Sequence, residues 1–309
     1  MRLVTTTADL APYYTDRSVA APLAGMRATG FRHIDLSMYN IVYKGSPWIA
    51  PGDGWKREVE KCMEIAARDG LDFCQAHSPD GEHFREGEAR DALIMATHRS
   101  IEACALLGIP YTVMHAAGCG PDEAEFRRRN IDFYRMFEED AERFGVDILA
   151  ENSASAWNPE YFLRTGAEMR AFVEEAGIQR LHLCWDTGHG NVQGCDQYSD
   201  VLAMGSELRA LHVQDNYGNA DSHVMPLAGS VNYDDLIRGL VDAGYKGDFT
   251  FEGSTTLRMP SAWPHYRRNV KPGDRLAVPP LSSQQEMIRV MYGIGEWMLG
   301  SYGLLEKDN

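Results

Sequence analysis

The chain has 309 residues, with 30 Lys+Arg against 45 Asp+Glu and a formal charge of −15. Its 44% hydrophobic and 24% charged content is that of a folded protein with a sizeable core, which excludes disorder, collagen and coiled coil. The acidic balance also disfavours a nucleic-acid partner, because phosphate binding rests on clustered Lys/Arg, and the short runs Arg127–Arg129 and Arg267–Arg268 do not reverse it.

In chain order, the opening MRLVTTTADL has neither a basic region nor an apolar core, so nothing reads as a secretion signal. No apolar run approaches the ~20 residues of a membrane span. The first β-rich run is Arg2–Thr6, and His33–Ser37, Asp72–His77, Tyr111–His115, Asp147–Glu151, Leu181–Asp186, Leu208–Gln214 and Asp248–Glu252 follow. Between them Trp55–Asp69, Arg90–Leu107, Asp122–Phe144, Gly166–Glu175 and Tyr233–Ala243 carry helical spacing. Gly30, Gly70, Gly108, Gly145, Gly177 and Gly244 stand just before the next run, as helix-stop signals. Eight such units in one chain of this length predict an α/β fold, a closed (β/α)8 TIM barrel in a single domain spanning 1–309. The alternative, a doubly wound sheet, lacks a Gly-x-Gly-x-x-Gly after the first strand. Residues 255–280, rich in Pro, Trp and Arg, read as a loop or extension after strand eight, either over the mouth of the barrel or down its outside. Residues 283–299 read as the last helix. Six cysteines without a Cys-x-x-Cys pair predict reduced thiols and a cytoplasmic location.

Barrel sites sit at the C-terminal ends of the strands. There the sequence places His77, His115, Glu151, Asp186 with His189 a turn later, His212, and Glu252, with Asp221 and His223 in the loop after strand seven. Carboxylates gathered in one small space repel one another unless a cation or protons compensate. A mixed carboxylate and imidazole set without thiolate suits Mn2+, Mg2+, Co2+ or Zn2+. Cys184 falls one layer below Asp186 on the same face and reads as core. Tyr39, Tyr43, Trp48, Trp157, Trp185, Tyr217 and Trp263 are candidate rings for a sugar face, Trp185 equally a core residue.

These motifs resemble the xylose isomerase-like TIM barrel superfamily, the group of sugar isomerases, epimerases and endonuclease IV, from about Phe31 to Glu252. The resemblance implies one divalent ion, Mn2+ first among the candidates, held by Glu151, Asp186, His212 and Glu252. It implies a sugar isomerase or epimerase that transfers a proton next to a carbonyl through an enediolate. In that reading Glu151 and Glu252 are the acid/base pair, taken to face each other across the ring. His189 contacts substrate, and His77 and His115 polarise a hydroxyl, bind a second ion or act as base. Asp221 and His223 fall in the loop pattern Asp-x-His-x-x-Pro, where Leu227 replaces the familiar glycine; they are substrate or second-metal candidates, with Asp215 or Asp221 an acceptor for the imidazoles. A small carbohydrate substrate and a homo-oligomer are implied. Two alternatives share the motifs. One is a lyase, or the metal subunit of a C-glycoside deglycosidase that acts on a 3-oxo-sugar with a small β-rich partner. The other is an endonuclease IV-like zinc phosphodiesterase using all nine ligand positions.

Overall fold

The computed structural model describes residues 1–152, 160–253, 255–257 and 274–306. Among them run eight strands: β1 (Leu3–Thr6), β2 (His33–Ser37), β3 (Asp72–His77), β4 (Tyr111–Met114), β5 (Asp147–Glu151), β6 (Leu181–Asp186), β7 (Leu208–His212) and β8 (Phe249–Phe251). Their order in the sheet is β7-β6-β5-β4-β3-β2-β1-β8, and the paired strands are parallel. The ring closes between β7 and β8 through one bridge, Val213 with Phe251. At this seam the Val213 N–H donates to the Thr250 carbonyl at 2.7 Å, and the Glu252 N–H to the Val213 carbonyl at 3.0 Å. The result is the expected TIM barrel.

The helices are α1 (Leu23–Met26), α2 (Lys56–Asp69), α3 (Glu88–Leu107), α4 (Glu123–Arg135), α5 (Glu138–Phe144), α6 (Gly166–Ala176), α7 (Thr187–Gln193), α8 (Gln197–Met204), α9 (Tyr233–Asp242) and α10 (Leu281–Ser301). Besides the short α1, which was not expected, two stretches differ from the sequence reading. The single helix expected over 122–144 is broken at Phe137, whose backbone (φ −108°, ψ 0°) leaves the helix. That turn sends a fully buried ring against Phe133 and His98, at 5.2 and 5.0 Å between centroids. After β6 two short helices stand where none was expected. The sequence of the first, TGHGNVQ, has no amphipathic period because its glycines answer to packing. A Cβ at Gly188 would lie 2.2 Å from the Gln214 side chain, and one at Gly190 2.5 Å from the Trp185 ring.

Inside the barrel Val113, Leu149, Cys184 and Ala210 form a small apolar cluster, one residue from each of β4 to β7. Side chains two apart on a strand share a face. The next layer toward the C-terminal rim is therefore His115, Glu151, Asp186 and His212. Trp185 points to the other side and is fully buried, its indole donating to Gln197 at 2.8 Å, and Trp48 is buried on Trp55. Both are core residues and not sugar platforms; Trp157 and Trp263 lie outside the described residues, as does most of the 255–280 extension. The six cysteines are unpaired. Among the described residues no helix is long and apolar enough to cross a membrane.

Candidate metal centre and substrate cavity

Glu151, the last residue of β5, is the hub. It is 1% exposed, and its two oxygens lie 2.8 Å from His212 Nδ1 and 2.7 Å from His115 Nε2. Burial alone would push its carboxyl up, but His212 and His115 hold it well below the usual carboxylate range. His77 Nδ1 faces the Ser78 carbonyl at 2.9 Å, which leaves Nε2 facing His115 Nε2 at 3.3 Å and Glu151 at 3.7 Å.

Asp186 ends β6 and caps α7, accepting the His189 N–H on Oδ1 at 2.7 Å. Its other oxygen, Oδ2, is buried with no hydrogen-bond partner among the described residues. Burial, with Glu151 and Asp221 close by and His189 opposing, raises this carboxyl to about 7. A buried carboxylate oxygen without a donor is costly unless a cation meets it. Glu151, Asp186, His212 and Glu252 each offer one ligand atom, all within 4.8 Å of one another. His212 turns Nδ1 toward Glu151 and Glu252, at 2.8 and 3.5 Å, and Nε2 toward Asp35 at 3.7 Å. Three carboxylates and an imidazole, with one unsatisfied buried oxygen among them, fit a divalent cation with oxygen and nitrogen preference. Two further groups adjoin it, His77 with Glu151 and His212, and His189 with Asp221 and His223. A last one, His33, Asp72 and Cys74, sits at the far ends of the strands, where Arg2 already pairs with Asp72 at 3.5 Å.

Asp221 is the acceptor for the imidazoles, 3.3 Å from His189 Nε2 and 2.9 Å from His223 Nε2, and these two hold it low against burial. In return Asp221, with Glu252, lifts His223 to about 10. Asp215, the other candidate for that role, does something else: it accepts the backbone N–H groups of Gly229 and Val231, each at 3.0 Å. It thereby fixes the loop in which Leu227 takes the left-handed conformation (φ 71°) usually left to glycine. Glu151 and Glu252 do not face each other across the ring. β5 and β8 are separated by β6 and β7 alone, with His212 between them.

Four residues of the site escaped the sequence reading. Asp35, fully buried in β2, has no hydrogen-bond partner on either oxygen among the described residues, and it faces His212 Nε2, which has none among them either. An aspartate inside the apolar run Ile-Asp-Leu was its signal. Asn152 ties β5 to β6 by bonding both the N–H and the carbonyl of Asp186, and its own carbonyl faces His189 Nδ1 at 2.8 Å. Gln214 bridges Asp186 and Asp221. Asp80 accepts the Tyr39 hydroxyl at 2.8 Å, setting that ring edge-on to His77. His77, His115, Glu151, His189, Asp221, His223 and Glu252 all line one cavity of about 480 Å3 at the rim.

A buried polyvalent carboxylate–imidazole cluster at the C-terminal mouth of a TIM barrel defines a class of small-molecule site. The family model of the xylose isomerase-like TIM barrel matches residues 23–269, and the chain belongs to that family. The uncharacterized protein y4fM of Sinorhizobium fredii is 26% identical over 281 residues, covering 82% of this chain and 86% of that protein. The fructoselysine 3-epimerase of Escherichia coli O157:H7 is 39% identical over 174 residues, 55% of this chain and 60% of that enzyme. The crystal structure of a D-tagatose 3-epimerase-like protein superposes with a TM-score of 0.73 over 98% of each chain at 16% identity, a likeness of fold.

Proposed function

We propose that the protein is a divalent-metal-dependent sugar epimerase or isomerase that moves a proton at a carbon next to a carbonyl, through an enediolate. The observation that carries this reading is the gathering of Glu151, Asp186, His212 and Glu252 ligand atoms within 4.8 Å of one another beside a cavity lined by imidazole, amide and hydroxyl groups. The relative named fructoselysine 3-epimerase and the structure named D-tagatose 3-epimerase-like protein support a small carbohydrate substrate. A divalent cation in this site supplies positive charge against the oxyanion that develops as the proton leaves. Mn2+ is the first candidate, with Mg2+, Co2+ and Zn2+ compatible with the same donors.

The chain's own residues supply the proton steps. Glu151, kept ionised by His212 and His115, is a base that stays charged at neutral pH. Glu252, the residue after β8 and nearer solvent, is the partner acid that returns a proton from a different direction. Asp186 and His212 hold position. His189 reaches substrate through Nε2, which its 3.3 Å contact with Asp221 leaves loosely engaged. His77 and His115 polarise a substrate hydroxyl, His77 with its Nδ1 proton committed to the Ser78 carbonyl.

Exchange of the substrate carbon-bound proton in D2O, followed by NMR, tests this. Glu252→Gln should slow exchange by about 10²–10⁴-fold, the usual contribution of a general acid–base group, while tight ligand binding survives. Exchange at the wild-type rate in that variant would end the assignment. The zinc phosphodiesterase stands as a second reading because of the two additional His/Asp/Glu groups, and metal analysis separates them: one ion per chain for the epimerase, three for the nuclease.

A further inference from the structure

The cavity over the metal centre opens into a second chamber of about 870 Å3. The two share Tyr39, Asn40, Asp80, Asp221, His223 and Glu252 as a common wall. From there the second chamber runs outward between the segment after β1 and the segment after β2, past Tyr14, Val42 and Tyr43 to Arg17. Each chamber alone is of the size that buries a small-molecule ligand, roughly 300–1,000 Å3. A free monosaccharide is small enough to fit within the inner one alone.

The outer chamber is polarised along its length. Its inner end carries the carboxylates of Asp80, Asp221 and Glu252, and its outer end the guanidinium of Arg17. Among the described residues Arg17 has no carboxylate or carbonyl partner; its guanidinium lies 5.0 Å from the centroid of the Tyr43 ring. It sits in a left-handed backbone conformation, φ 51°, which a non-glycine residue holds only when its surroundings impose it. They do. On the next residue, the Ser18 N–H donates to Asp16 Oδ1 at 3.3 Å and its hydroxyl donates to Glu58 on α2, while the Ala20 N–H returns to the Ser18 oxygen at 3.2 Å. Among the described residues Arg17 is the one arginine or lysine lining either chamber, and it stands at the outer end, away from His189 and His223. Stacking on tyrosine leaves the in-plane N–H donors of a guanidinium free for a bidentate acceptor.

We propose that the outer chamber is a substrate subsite and that the substrate is a keto-sugar conjugate: the sugar over the metal centre, a short tail along Tyr14 and Tyr43, and a terminal anion, carboxylate or phosphate, on Arg17. The inference rests on the sugar-epimerase reading for the inner chamber. With the sugar over the metal centre, the Arg17 guanidinium at the outer end gives the acid of such a molecule a bidentate partner.

The test uses the Mn2+-loaded protein and four probes: D-fructose, 1-deoxy-1-(carboxymethylamino)-fructose, its 1-deoxy-1-(propylamino) twin without the carboxylate, and D-fructose 6-phosphate. Binding is followed by calorimetry and proton exchange by NMR in D2O. The expected result is on the order of tenfold tighter binding of the carboxylate-bearing probe than of its propylamino twin, both carrying the same ammonium, or of D-fructose 6-phosphate than of D-fructose, the scale of a charge-assisted bidentate contact. The carboxylate and phosphate arms identify which anion is taken. Arg17→Met should remove that preference while D-fructose binding and exchange stay unchanged, and rising NaCl should erode it in the wild type only. Equal binding of each acid-bearing probe and its counterpart without the acid, or a preference that survives Arg17→Met, overturns the subsite while leaving the inner-site chemistry standing. Arg17-dependent binding with no exchange on any probe overturns the epimerase reading and leaves the subsite.

Discussion

Asp186 is the residue through which cation and fold are coupled, and Asp186→Asn separates the two. Burial raises its carboxyl to about 7 from an ordinary 3.8, a shift of roughly 3 units, or about 4 kcal/mol of disfavour for the ionised form in the metal-free fold. Because the folded value is the higher one, this group's contribution to metal-free stability falls as pH climbs from about 4 through 7 and stays lost above. His189 and His223 act in the same direction: lifted by Asp186 and Asp221, and by Asp221 and Glu252, they stabilise below their ordinary value near 6.5 and lose that as pH passes their raised values. Glu151 and Asp221, held low, protect the fold above about 4.5 and withdraw on acidification. Metal-free protein should therefore be most stable at mildly acidic pH. The asparagine keeps an Oδ1 to cap α7 and to accept from Gln214, and sets an N–H2 where Oδ2 had no donor. At pH 8 with EDTA the variant should melt higher than the wild type by several degrees, 4 kcal/mol being the ceiling. At 100 times its dissociation constant Mn2+ should stabilise the wild type by about 2.7 kcal/mol and the variant hardly at all. Differential scanning calorimetry at pH 5.5 and 8, with and without Mn2+, reads all four combinations. A metal-free variant less stable than the wild type at pH 8, or one that gains equally from Mn2+, refutes the reasoning.

Asp35→Leu should weaken Mn2+ affinity about 10–100-fold by calorimetry, since a carboxylate behind a ligating imidazole sets its tautomer and orientation, and Asp35→Asn should restore most of it; unchanged affinity in the leucine variant would show that Asp35 does not position His212. Gly188→Ala places a Cβ 2.2 Å from the Gln214 side chain, so urea unfolding should show a loss of about 1–3 kcal/mol together with weaker metal binding, and wild-type stability there would mean that α7 packs less tightly than the structure has it. Chelation should abolish proton exchange and Mn2+, Co2+ or Mg2+ should restore it, whereas full exchange by verified metal-free protein removes the cation from the chemistry.

Period and punctuation carried the barrel. Strand ends such as Asp147–Glu151 and Leu181–Asp186 coincide with the sequence reading to the residue, because parallel core strands are continuous apolar runs and their helices close on glycine. The convergence of strand-end carboxylates and imidazoles was equally legible, since the fold aims every such end at one rim. The less legible parts depend on contacts between distant segments. α7 hides in a glycine-rich stretch whose composition answers to Trp185 and Gln214. Asp35 reaches the site from below on a strand whose end holds only Ser37. Asp215 and Asp221, six residues apart and alike in sequence, divide into loop anchor and imidazole acceptor only once the chain is folded. Ring position was misjudged because eight-fold closure places β5 and β8 three steps apart.

The junction between β7 and β8 gives the metal centre a mechanical role. The barrel is joined there by a single bridge at Val213, and the side chains on either side of it are His212 and Glu252. An ion gripped by both is a rivet through the thinnest plank of the stave-work. An ion bound there would reinforce a seam the backbone already closes, and on its removal the amides of Val213 and Glu252 should be the first to take up deuterium.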